Sequence, residues 1–427
     1  MNALVIGGAR SGLAVAKLLN AKGYDVTLTT NQDFREREAI ERLGIHVSLN
    51  DRDLNLVKPY DVVVKNPGIP NNHPLVCKFE SVVNEIEVAT WFAPHYTYYA
   101  VSGTNGKTTT VSLLNEMLVS KNNNALLAGN VGYALSEAVF QDGDAVRDVA
   151  LEISAFQMEG TPSFTPDVYG ILNLSPDHLD RYDGDAEAYY AEKVRILPNV
   201  KCFVKNMDDA NIVRLTQNYQ GETITLSLKN QNTDIYRDGT HIMYRDMILF
   251  DISSLKIVGE HNVYNATMAA YMAYRAGVPV DTIQNVIASF TGVEHRIEYV
   301  ATVNGVRYYN DSKATNPEST EVALKAFDKN IILLAGGFDK RISFEGLRPY
   351  SNRIKSIYVF GESAEQIKSV FPNAVVVKTM LDGTKNAINT AVSGDVVLLS
   401  PACASYDQFD NYEQRGTIFK EYIKTLE

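Results

Sequence analysis

A glycine-rich loop between a predicted strand and a predicted helix has the residues of a phosphate-binding site. Residues 98–102 (YYAVS) form the predicted strand, and residues 103–110 (GTNGKTTT) lead into the helix. In such loops the backbone N–H groups cradle phosphates, the lysine (here Lys107) reaches the β/γ oxygens, and the following hydroxyl (Thr108) can hold Mg²⁺. The usual spacing places the first glycine at Val101, so Gly103 takes over that role. The loop predicts ATP binding.

Two further polar residues follow predicted strands of the same block. Glu152 stands at the end of the strand at 149–153, where a carboxylate suits direct Mg²⁺ ligation or an Mg²⁺-bound water. His178 lies just beyond the strand at 168–173. A lone histidine is more often structural than catalytic. Ligands of α/β sheets bind at the carboxyl ends of the strands, however, and this favours a functional role for His178.

A second glycine loop lies at the N-terminus, where residues 7–12 (GGARSG) follow a strand and open a helix. Its N–H groups and the helix dipole suit a diphosphate. Ala9 occupies the second glycine position of G-x-G-x-x-G, and residues 29–31 (TTN) lack the acidic residue of dinucleotide-binding chains. A nicotinamide oxidoreductase is therefore poorly supported. A turn without a ligand and a different nucleotide-diphosphate site both stay open, and the latter fits best.

Short apolar runs alternate with amphipathic segments along the chain, which predicts an α/β architecture with parallel sheets. The predicted strands are residues 3–6, 25–29, 61–64, 98–102, 149–153, 168–173, 331–335, 356–360 and 396–400. The predicted helices include residues 12–22, 108–121 and 264–275. Breaks near residues 93–94 and 291–292 predict three domains, at residues 1–92, 93–291 and 292–427.

The composition is that of an ordinary globular protein. Of 427 residues, 45% are hydrophobic and 21% are charged, and the formal net charge is −11. That balance argues against nucleic-acid binding, which needs an extended basic face. Three separated cysteines (Cys77, Cys202 and Cys403) favour a reducing compartment over a disulfide or a structural metal site. Because no signal pattern or membrane-spanning apolar run is present, we expect a soluble cytoplasmic protein.

Four motifs resemble those of the Mur ligases, the ATP-dependent amide-bond-forming enzymes of peptidoglycan synthesis. They are residues 103–110, 152–157, 173–180 and 259–265. Three more motifs are similar to those of the D-glutamate-adding members, at residues 310–316 (NDSKATN), 336–340 (GGFDK) and 399–409 (LSPACASYDQF). The resemblance covers essentially the whole chain. It implies a Rossmann-like N-terminal domain for the UDP end of a sugar nucleotide, a central P-loop ATPase-type α/β domain for ATP, and a Rossmann-like C-terminal domain for the amino acid.

The resemblance also implies roles for individual residues. ATP would be bound by Gly103, Thr104, Asn105, Gly106, Lys107, Thr108, Thr109, Asn262, Asn265, Arg296 and Asp311. Mg²⁺, expected as two ions, would be held by Thr108, Glu152, His178 and a carbamylated Lys193. The other substrates would be bound by Gly7, Ala9, Arg10, Ser11, Asn130, Thr315, Lys340, Ser405, Tyr406 and Tyr412. Catalytic roles fall to Lys107, Lys193, His178 and Lys313. By sequence alone, Lys193 reads as a solvated helix lysine.

The implied reaction adds D-glutamate to UDP-N-acetylmuramoyl-L-alanine through an acyl phosphate and releases ADP and phosphate. The expected protein is a monomer with no nucleic-acid partner. Rival interpretations are a related ligase for another amino acid or for folate, a nicotinamide oxidoreductase, and a P-loop switch or motor. The related ligases should lack the combined pattern at 310–316 and 400–409, and the charge of −11 gives a motor little support.

Overall fold

Helices and strands alternate along the chain and build three sheets. The computed structural model describes residues 1–143, 145–177, 181–339 and 342–426. The predicted α/β class is confirmed, and all nine predicted strands are present with ends shifted by at most two residues. The chain divides into two compact units, one of Met1–Ser253 with Tyr264–Val286 and one of Ser254–Val263 with Ile287–Glu427. The three domain ranges expected from the sequence stay a prediction.

The first sheet has four parallel strands in the order β3-β2-β1-β4. Its strands are β1 Asn2–Ile6, β2 Asp25–Thr29, β3 His46–Ser48 and β4 Val62–Lys65, and the helices of this segment are α1 Arg10–Ala21, α2 Arg37–Arg42 and α3 Glu85–Trp91. Strand β1 is apolar throughout because Ala3 and Val5 pack into one core cluster while Leu4 and Ile6 pack into another. A strand buried on both faces needs apolar residues at successive positions.

The second sheet has nine strands in the order β13-β12-β11-β10-β9-β8-β5-β7-β6. The strands are β5 Thr97–Ser102, β6 Ala125–Gly129, β7 Asp148–Glu152, β8 Val168–Ile171, β9 Cys202–Asn206, β10 Glu222–Ser227, β11 Ile235–Asp238, β12 His241–Tyr244 and β13 Met247–Asp251. The helices along this stretch and after it are α4 Lys107–Lys121, α5 Leu135–Asp142, α6 Ala155–Met158, α7 Ala186–Val194, α8 Ala210–Leu215, α9 Glu260–Arg275 and α10 Val280–Ser289.

The third sheet has six strands in the order β14-β15-β19-β16-β17-β18. The strands are β14 Glu298–Val303, β15 Val306–Asn310, β16 Ile331–Gly336, β17 Ile354–Phe360, β18 Val375–Val376 and β19 Val396–Leu399. The helices of this segment are α11 Pro317–Lys325, α12 Ala364–Val370, α13 Met380–Thr390 and α14 Tyr412–Lys424.

Two of the three sheets also contain antiparallel pairs beside the predicted parallel strands. Strands β11, β12 and β13 pair antiparallel at one end of the second sheet, and β14 pairs antiparallel with β15 in the third. The β14–β15 hairpin closes through Asn304-Gly305, both with positive φ (51° and 76°). A two-residue Asn-Gly loop of this conformation matches the twist of the strands that flank it.

Parallel strands place their carboxyl ends at one edge, where the connecting loops collect functional side chains. The phosphate-loop residues follow β5, Glu152 ends β7, and the first glycine loop follows β1. In the other unit, Asp311 follows β15 and Ser400 follows β19. Within the described ranges, no helix is long and apolar enough to cross a membrane.

Candidate active site

The phosphate loop is held in shape by its own lysine and by two left-handed glycines. Gly103 and Gly106 have φ of 140° and 85°, values that L side chains rarely adopt. A Cβ on Gly106 would also collide with the side chain of Asn265, which places that predicted residue against the loop. Lys107 Nζ donates to the carbonyl oxygens of Gly103 (2.8 Å) and Thr104 (2.7 Å). The loop thus opens α4, whose first turn has no acidic residue and whose N-terminus attracts anions.

A second loop supports the phosphate loop from the end of β8. Asn105 N–H donates to Asn173 Oδ1 (2.9 Å), and Asn173 Nδ2 donates back to the Asn105 carbonyl (3.1 Å). Thr104 N–H donates to the Asn173 carbonyl (3.0 Å), and Thr104 Oγ1 donates to the Ser175 carbonyl (3.0 Å). Sequence reasoning assigned Asn173 no role of its own. Its position at the start of the 173–180 motif was the available signal.

Thr108, Glu152 and Asn130 form one hydrogen-bonded group. Thr108 Oγ1 donates to Glu152 Oε2 (2.8 Å), and Asn130 Nδ2 donates to Glu152 Oε1 (2.7 Å). The Glu152 residue is only 1% exposed. A hydroxyl beside a buried carboxylate supplies the oxygen ligands that Mg²⁺ prefers, so these residues fit the predicted metal. Among the described residues there is no cluster of three or more His, Cys, Asp and Glu side chains able to hold a metal.

Lys193 is buried beside the same loop. Its side chain lies on α7, the residue is 1% exposed, and Nζ donates to the Gly103 carbonyl (2.9 Å). Burial, reinforced by the charge of Lys107, lowers the pKa of Lys193 to about 7, against the opposing effect of Asp177 and Glu152. The interpretation as a solvated lysine is therefore wrong. Much of this amine is neutral near pH 7, which is the form that reacts with CO₂.

The first glycine loop is packed against the turn after β4. Gly7 has φ of 106°, and a Cβ there would lie 2.8 Å from both Asn66 Cβ and Ile69 Cδ1. Asn66 Nδ2 donates to Ser11 Oγ (3.0 Å). Ala9 is the extended residue before α1. Asn66 thus joins the predicted substrate loop, although sequence reasoning did not select it.

Arg10 points from this loop towards the segment that carries Asn130. Nη1 donates to the Gly132 carbonyl (2.8 Å), and Nη2 donates to the carbonyls of Gly129 (3.1 Å) and Asn130 (3.3 Å). Its guanidinium was expected at a diphosphate or uridine. In the structure it contacts the backbone of the segment that carries Asn130, another predicted substrate residue.

In the other unit, Asp311 is a buried carboxylate between two strands and a turn. Ser400 Oγ donates to Oδ2 (2.7 Å) and Ile297 N–H donates to Oδ1 (3.1 Å). Burial raises the pKa of Asp311 to about 7, although both hydrogen bonds act in the opposite direction. The preceding turn holds the predicted residue Arg296, which is exposed, between His295 and Ile297, whose φ values are 63° and 44°. Such left-handed non-glycine residues cluster at ligand sites.

Arg415, which sequence reasoning missed, joins the predicted amino-acid loops. It is fully buried on α14 and donates to Ser312 Oγ (2.9 Å), the Ser312 carbonyl (2.8 Å) and the Cys403 carbonyl (3.0 Å). Ser312 Oγ in turn donates to the Tyr412 carbonyl (2.8 Å). A buried arginine on a helix has the same local pattern as a solvated one, so no signal in the sequence distinguished it.

The predicted site residues fall into separate groups. One unit contains the loop at 103–109 with Asn130, Glu152, Lys193 and Asn265, and also Gly7, Ala9, Arg10 and Ser11. The other contains Asn262, Arg296, Asp311, Lys313, Thr315, Ser405, Tyr406 and Tyr412. In this second group Ser405 is buried and Tyr406 is 70% exposed. The side chain of Asn262 donates from Nδ2 to the Val258 carbonyl (2.7 Å). His178 and Lys340 lie outside the described residues.

Comparisons with known proteins agree with the motifs. Residues 101–273 match the Mur ligase middle domain, and residues 295–403 match the Mur ligase glutamate ligase domain. The UDP-N-acetylmuramoylalanine–D-glutamate ligase of Geobacillus sp. (strain WCH70) is 39% identical over 97% of this chain and 96% of its own length. The chain belongs to the Mur ligase family. The ligase of the same name from Bacillus subtilis (strain 168) is 36% identical over 99% of this chain and 97% of its own length.

Solved Mur ligases have the same fold. UDP-N-acetylmuramate-alanine ligase MurC from Thermotoga maritima aligns with a TM-score of 0.59 over 100% of this chain and 99% of its own, at 17% identity. MurF from Acinetobacter baumannii aligns with a TM-score of 0.60 over 99% of this chain and 93% of its own, at 13% identity. The predicted family and the ATP-dependent, peptide-bond-forming ligase class are confirmed, and the oxidoreductase alternative is not favoured.

Proposed function

We propose that this Mur ligase joins D-glutamate to UDP-N-acetylmuramoyl-L-alanine and converts ATP to ADP and phosphate. The relatives named for this reaction align over nearly the whole chain, which supports the choice of substrates. The observation that carries the chemistry is the group formed by Lys107, Thr108, Glu152 and Lys193 around one phosphate loop. Two amines, a hydroxyl and a carboxylate around one phosphate loop are the groups that a triphosphate and its metal require.

ATP would lie on the phosphate loop, with its phosphates on the amides at the start of α4 and on Lys107. Thr108 and Glu152 would hold one Mg²⁺, since their oxygens already lie within hydrogen-bond distance. When bound, Mg²⁺ neutralises phosphate charge and polarises phosphoryl oxygens. A second ion would be held by His178 and Lys193. Carbamylation of Lys193 would convert a buried cation into an anionic oxygen ligand. Asn262, Asn265, Arg296 and Asp311 stay predicted ATP contacts.

The reaction needs activation because a carboxylate is a poor electrophile and its oxygen is a poor leaving group. Attack of the substrate carboxylate on the γ-phosphate gives an acyl phosphate and ADP. The amine of D-glutamate then attacks the acyl carbon, the resulting tetrahedral intermediate expels phosphate, and the amine loses a proton. Asn130 would orient the carboxylate, and Lys107 and Lys313 would stabilise the negative charge that develops on the oxygens.

The amino-acid pocket would be formed by Thr315, Lys340, Ser405, Tyr406 and Tyr412. D-Glutamate carries two carboxylates, which call for cationic and hydroxyl donors. Ser405 is buried at the loop that Arg415 supports through Ala404, whose carbonyl accepts from Nη1 at 3.3 Å. That support would fix the hydroxyl relative to the ligand.

The decisive experiment is phosphate release by the purified protein with Mg-ATP and UDP-N-acetylmuramoyl-L-alanine, with D-glutamate, L-glutamate or L-lysine added separately. We expect release that requires both substrates and, among the amino acids, D-glutamate alone. Release with another amino acid would retain the ligase chemistry and overturn the pocket assignment. A folded sample without release in any mixture would contradict the proposal. We also infer a cytoplasmic monomer, which sedimentation of the active protein and cell fractionation test.

A further inference from the structure

The guanidinium of Arg10 joins two loops that are expected to bind different parts of the sugar nucleotide. Arg10 belongs to the first glycine loop, and it donates to the carbonyls of Gly129, Asn130 and Gly132 after β6. Three carbonyl acceptors are engaged by its two terminal nitrogens. The planar fork of arginine suits such multiple contacts, whereas an ammonium group has a different geometry. Among the described residues, no hydrogen bond uses Arg10 Nε, so that donor stays available to a ligand.

From Asn130 the contacts continue to the metal ligands. Asn130 N–H donates to the Glu152 carbonyl (3.0 Å) and Asn130 Nδ2 donates to Glu152 Oε1 (2.7 Å). The other carboxylate oxygen of Glu152 accepts from Thr108 Oγ1 (2.8 Å). An uninterrupted series of hydrogen bonds therefore runs from the first glycine loop, through one backbone segment, to the residues that would hold Mg²⁺.

The segment between them is constrained at both ends. A Cβ on Gly129 would collide with the Glu152 carbonyl oxygen, and a Cβ on Gly132 would collide with the Leu127 carbonyl oxygen. Both glycines have positive φ (103° and 70°). Because the backbone lies this close to β6 and β7, a shift of the carbonyls held by Arg10 must move Asn130 relative to Glu152.

We propose that Arg10 is a positioning residue that couples binding of the sugar nucleotide to binding of the Mg²⁺–nucleotide. This inference rests on the proposed function. An anionic diphosphate that accepts from Arg10 Nε stabilises the arrangement already present, in which Arg10 holds the segment at 129–132 and Asn130 holds the Glu152 carboxylate beside Thr108. Each ligand therefore strengthens binding of the other, because both favour one arrangement of the same contacts.

The test is calorimetric titration of the full chain with AMP-PNP and Mg²⁺, with and without saturating UDP-N-acetylmuramoyl-L-alanine and without D-glutamate. For the wild type we expect the sugar nucleotide to tighten AMP-PNP binding at least about fivefold, the lower end of ordinary coupling. The reverse titration must show the same factor. In Arg10→Met the factor should fall below about twofold when the sugar nucleotide is saturating.

Two further variants keep the test decisive. Arg10→Lys retains a cation for the diphosphate but has no fork, so it should bind the sugar nucleotide and still lose coupling. Lys17→Met is the matched control: Lys17 lies on the same helix, and its Nζ is 3.7 Å from Glu137 Oε2 on α5, which is outside residues 129–132. It should retain the wild-type factor.

The outcomes separate the two proposals. A wild type that binds both ligands with no mutual effect would overturn the coupling and leave the ligase function intact. Coupling retained in Arg10→Lys and Arg10→Met, or lost equally in Lys17→Met, would also overturn it. A wild type that binds no sugar nucleotide would contradict the proposed function itself.

Discussion

Lys193 and Asp311 are both buried ionisable groups with a pKa near 7, reached from opposite directions. Burial disfavours the charged form of each, so it lowers the pKa of the amine and raises that of the carboxyl group. Their partners differ. The Lys193 amine has a carbonyl acceptor and a second lysine nearby, whereas Asp311 accepts hydrogen bonds from Ser400 and Ile297.

This difference shows that a perturbed pKa does not by itself identify chemistry. The region around Lys193 combines two lysine amines, a carboxylate and a hydroxyl, and a bound metal and phosphate can replace the contacts that these groups make with one another and with the loop. In the region around Asp311 and Arg415, the buried ionisable groups bind backbone carbonyls, an N–H group and hydroxyls of the protein itself. These contacts hold the loops in place. We therefore expect substitutions in the first region to reduce turnover, and those in the second to reduce stability or ligand affinity.

The largest effect is expected for Lys193→Met. The substitution retains most of the volume and removes the amine, and with it the proposed carbamate ligand of the second Mg²⁺. The kcat for phosphate release should therefore fall by about 10²–10³-fold, the size of loss that follows removal of one source of transition-state stabilisation. Far-ultraviolet circular dichroism should be unchanged. The control is Lys201→Met, at an exposed ion pair with Asp167 in the same unit. If kcat of Lys193→Met stayed within a few-fold of the wild-type value, the expected difference between a catalytic first region and a structural second region would be contradicted.

Arg415→Met should destabilise the second region. Its buried guanidinium donates hydrogen bonds to the Ser312, Cys403 and Ala404 carbonyls. A buried carbonyl left without a donor lowers the free energy of unfolding by about 1–3 kcal/mol. Hydrogen exchange should rise at residues 312–316 and 403–405, and KM for D-glutamate should increase more than kcat falls. Arg353→Met is a useful comparison, because Arg353 Nη1 also donates to backbone carbonyls, at Leu324, Lys325 and Phe327. Equal rates of hydrogen exchange at residues 312–316 in the two variants would contradict the proposal that Arg415 stabilises this loop.

Asp311→Asn should change how stability depends on pH. The folded-state pKa of about 7 lies above the ordinary value of 3.8, so the folded protein retains a proton that the unfolded chain has already released. Stability from this group is thus present at low pH and is lost as pH rises through about 7, by on the order of a few kcal/mol. The melting temperature of the variant minus that of the wild type should increase from about pH 4 to about pH 8. Other groups with a raised pKa, such as Glu85, contribute equally to both proteins, so their effects cancel in this difference. A difference in melting temperature that does not change with pH would disprove the raised pKa of Asp311.

Tyr412→Phe should have the smallest effect. Ser312 uses the backbone carbonyl of Tyr412, and the ring packs edge-on against His295 with centroids 5.9 Å apart. Phenylalanine retains both contacts, so KM for D-glutamate should change by less than about twofold, as expected where packing is conserved. Tyr412→Ala removes the ring and is the comparison variant. If KM for D-glutamate increased as much in Tyr412→Phe as in Tyr412→Ala, the Tyr412 hydroxyl would have a direct role in binding.

The sequence was sufficient for features that depend on neighbouring residues. The phosphate loop, its flanking strand and helix, and Glu152 at the end of β7 could all be predicted, because apolar periodicity and glycine spacing are local properties. The antiparallel hairpins were missed, although Asn304-Gly305 is a local signal for one of them. Resemblance to the Mur ligases supplied the predicted roles of residues such as Asn130 and Lys313, which no local pattern distinguishes.

Only the tertiary structure decided how those residues are used. Lys193 and Arg415 look like solvated helix residues in the sequence, yet packing buries both, and burial sets the pKa of one and the backbone contacts of the other. Asn173 and Arg10 contact residues about 70 and 120 positions away, at Asn105 and Asn130. The local sequence therefore determined which chemical groups are present. The protonation and contacts of those groups depend on packing between distant segments, which no short stretch of sequence specifies.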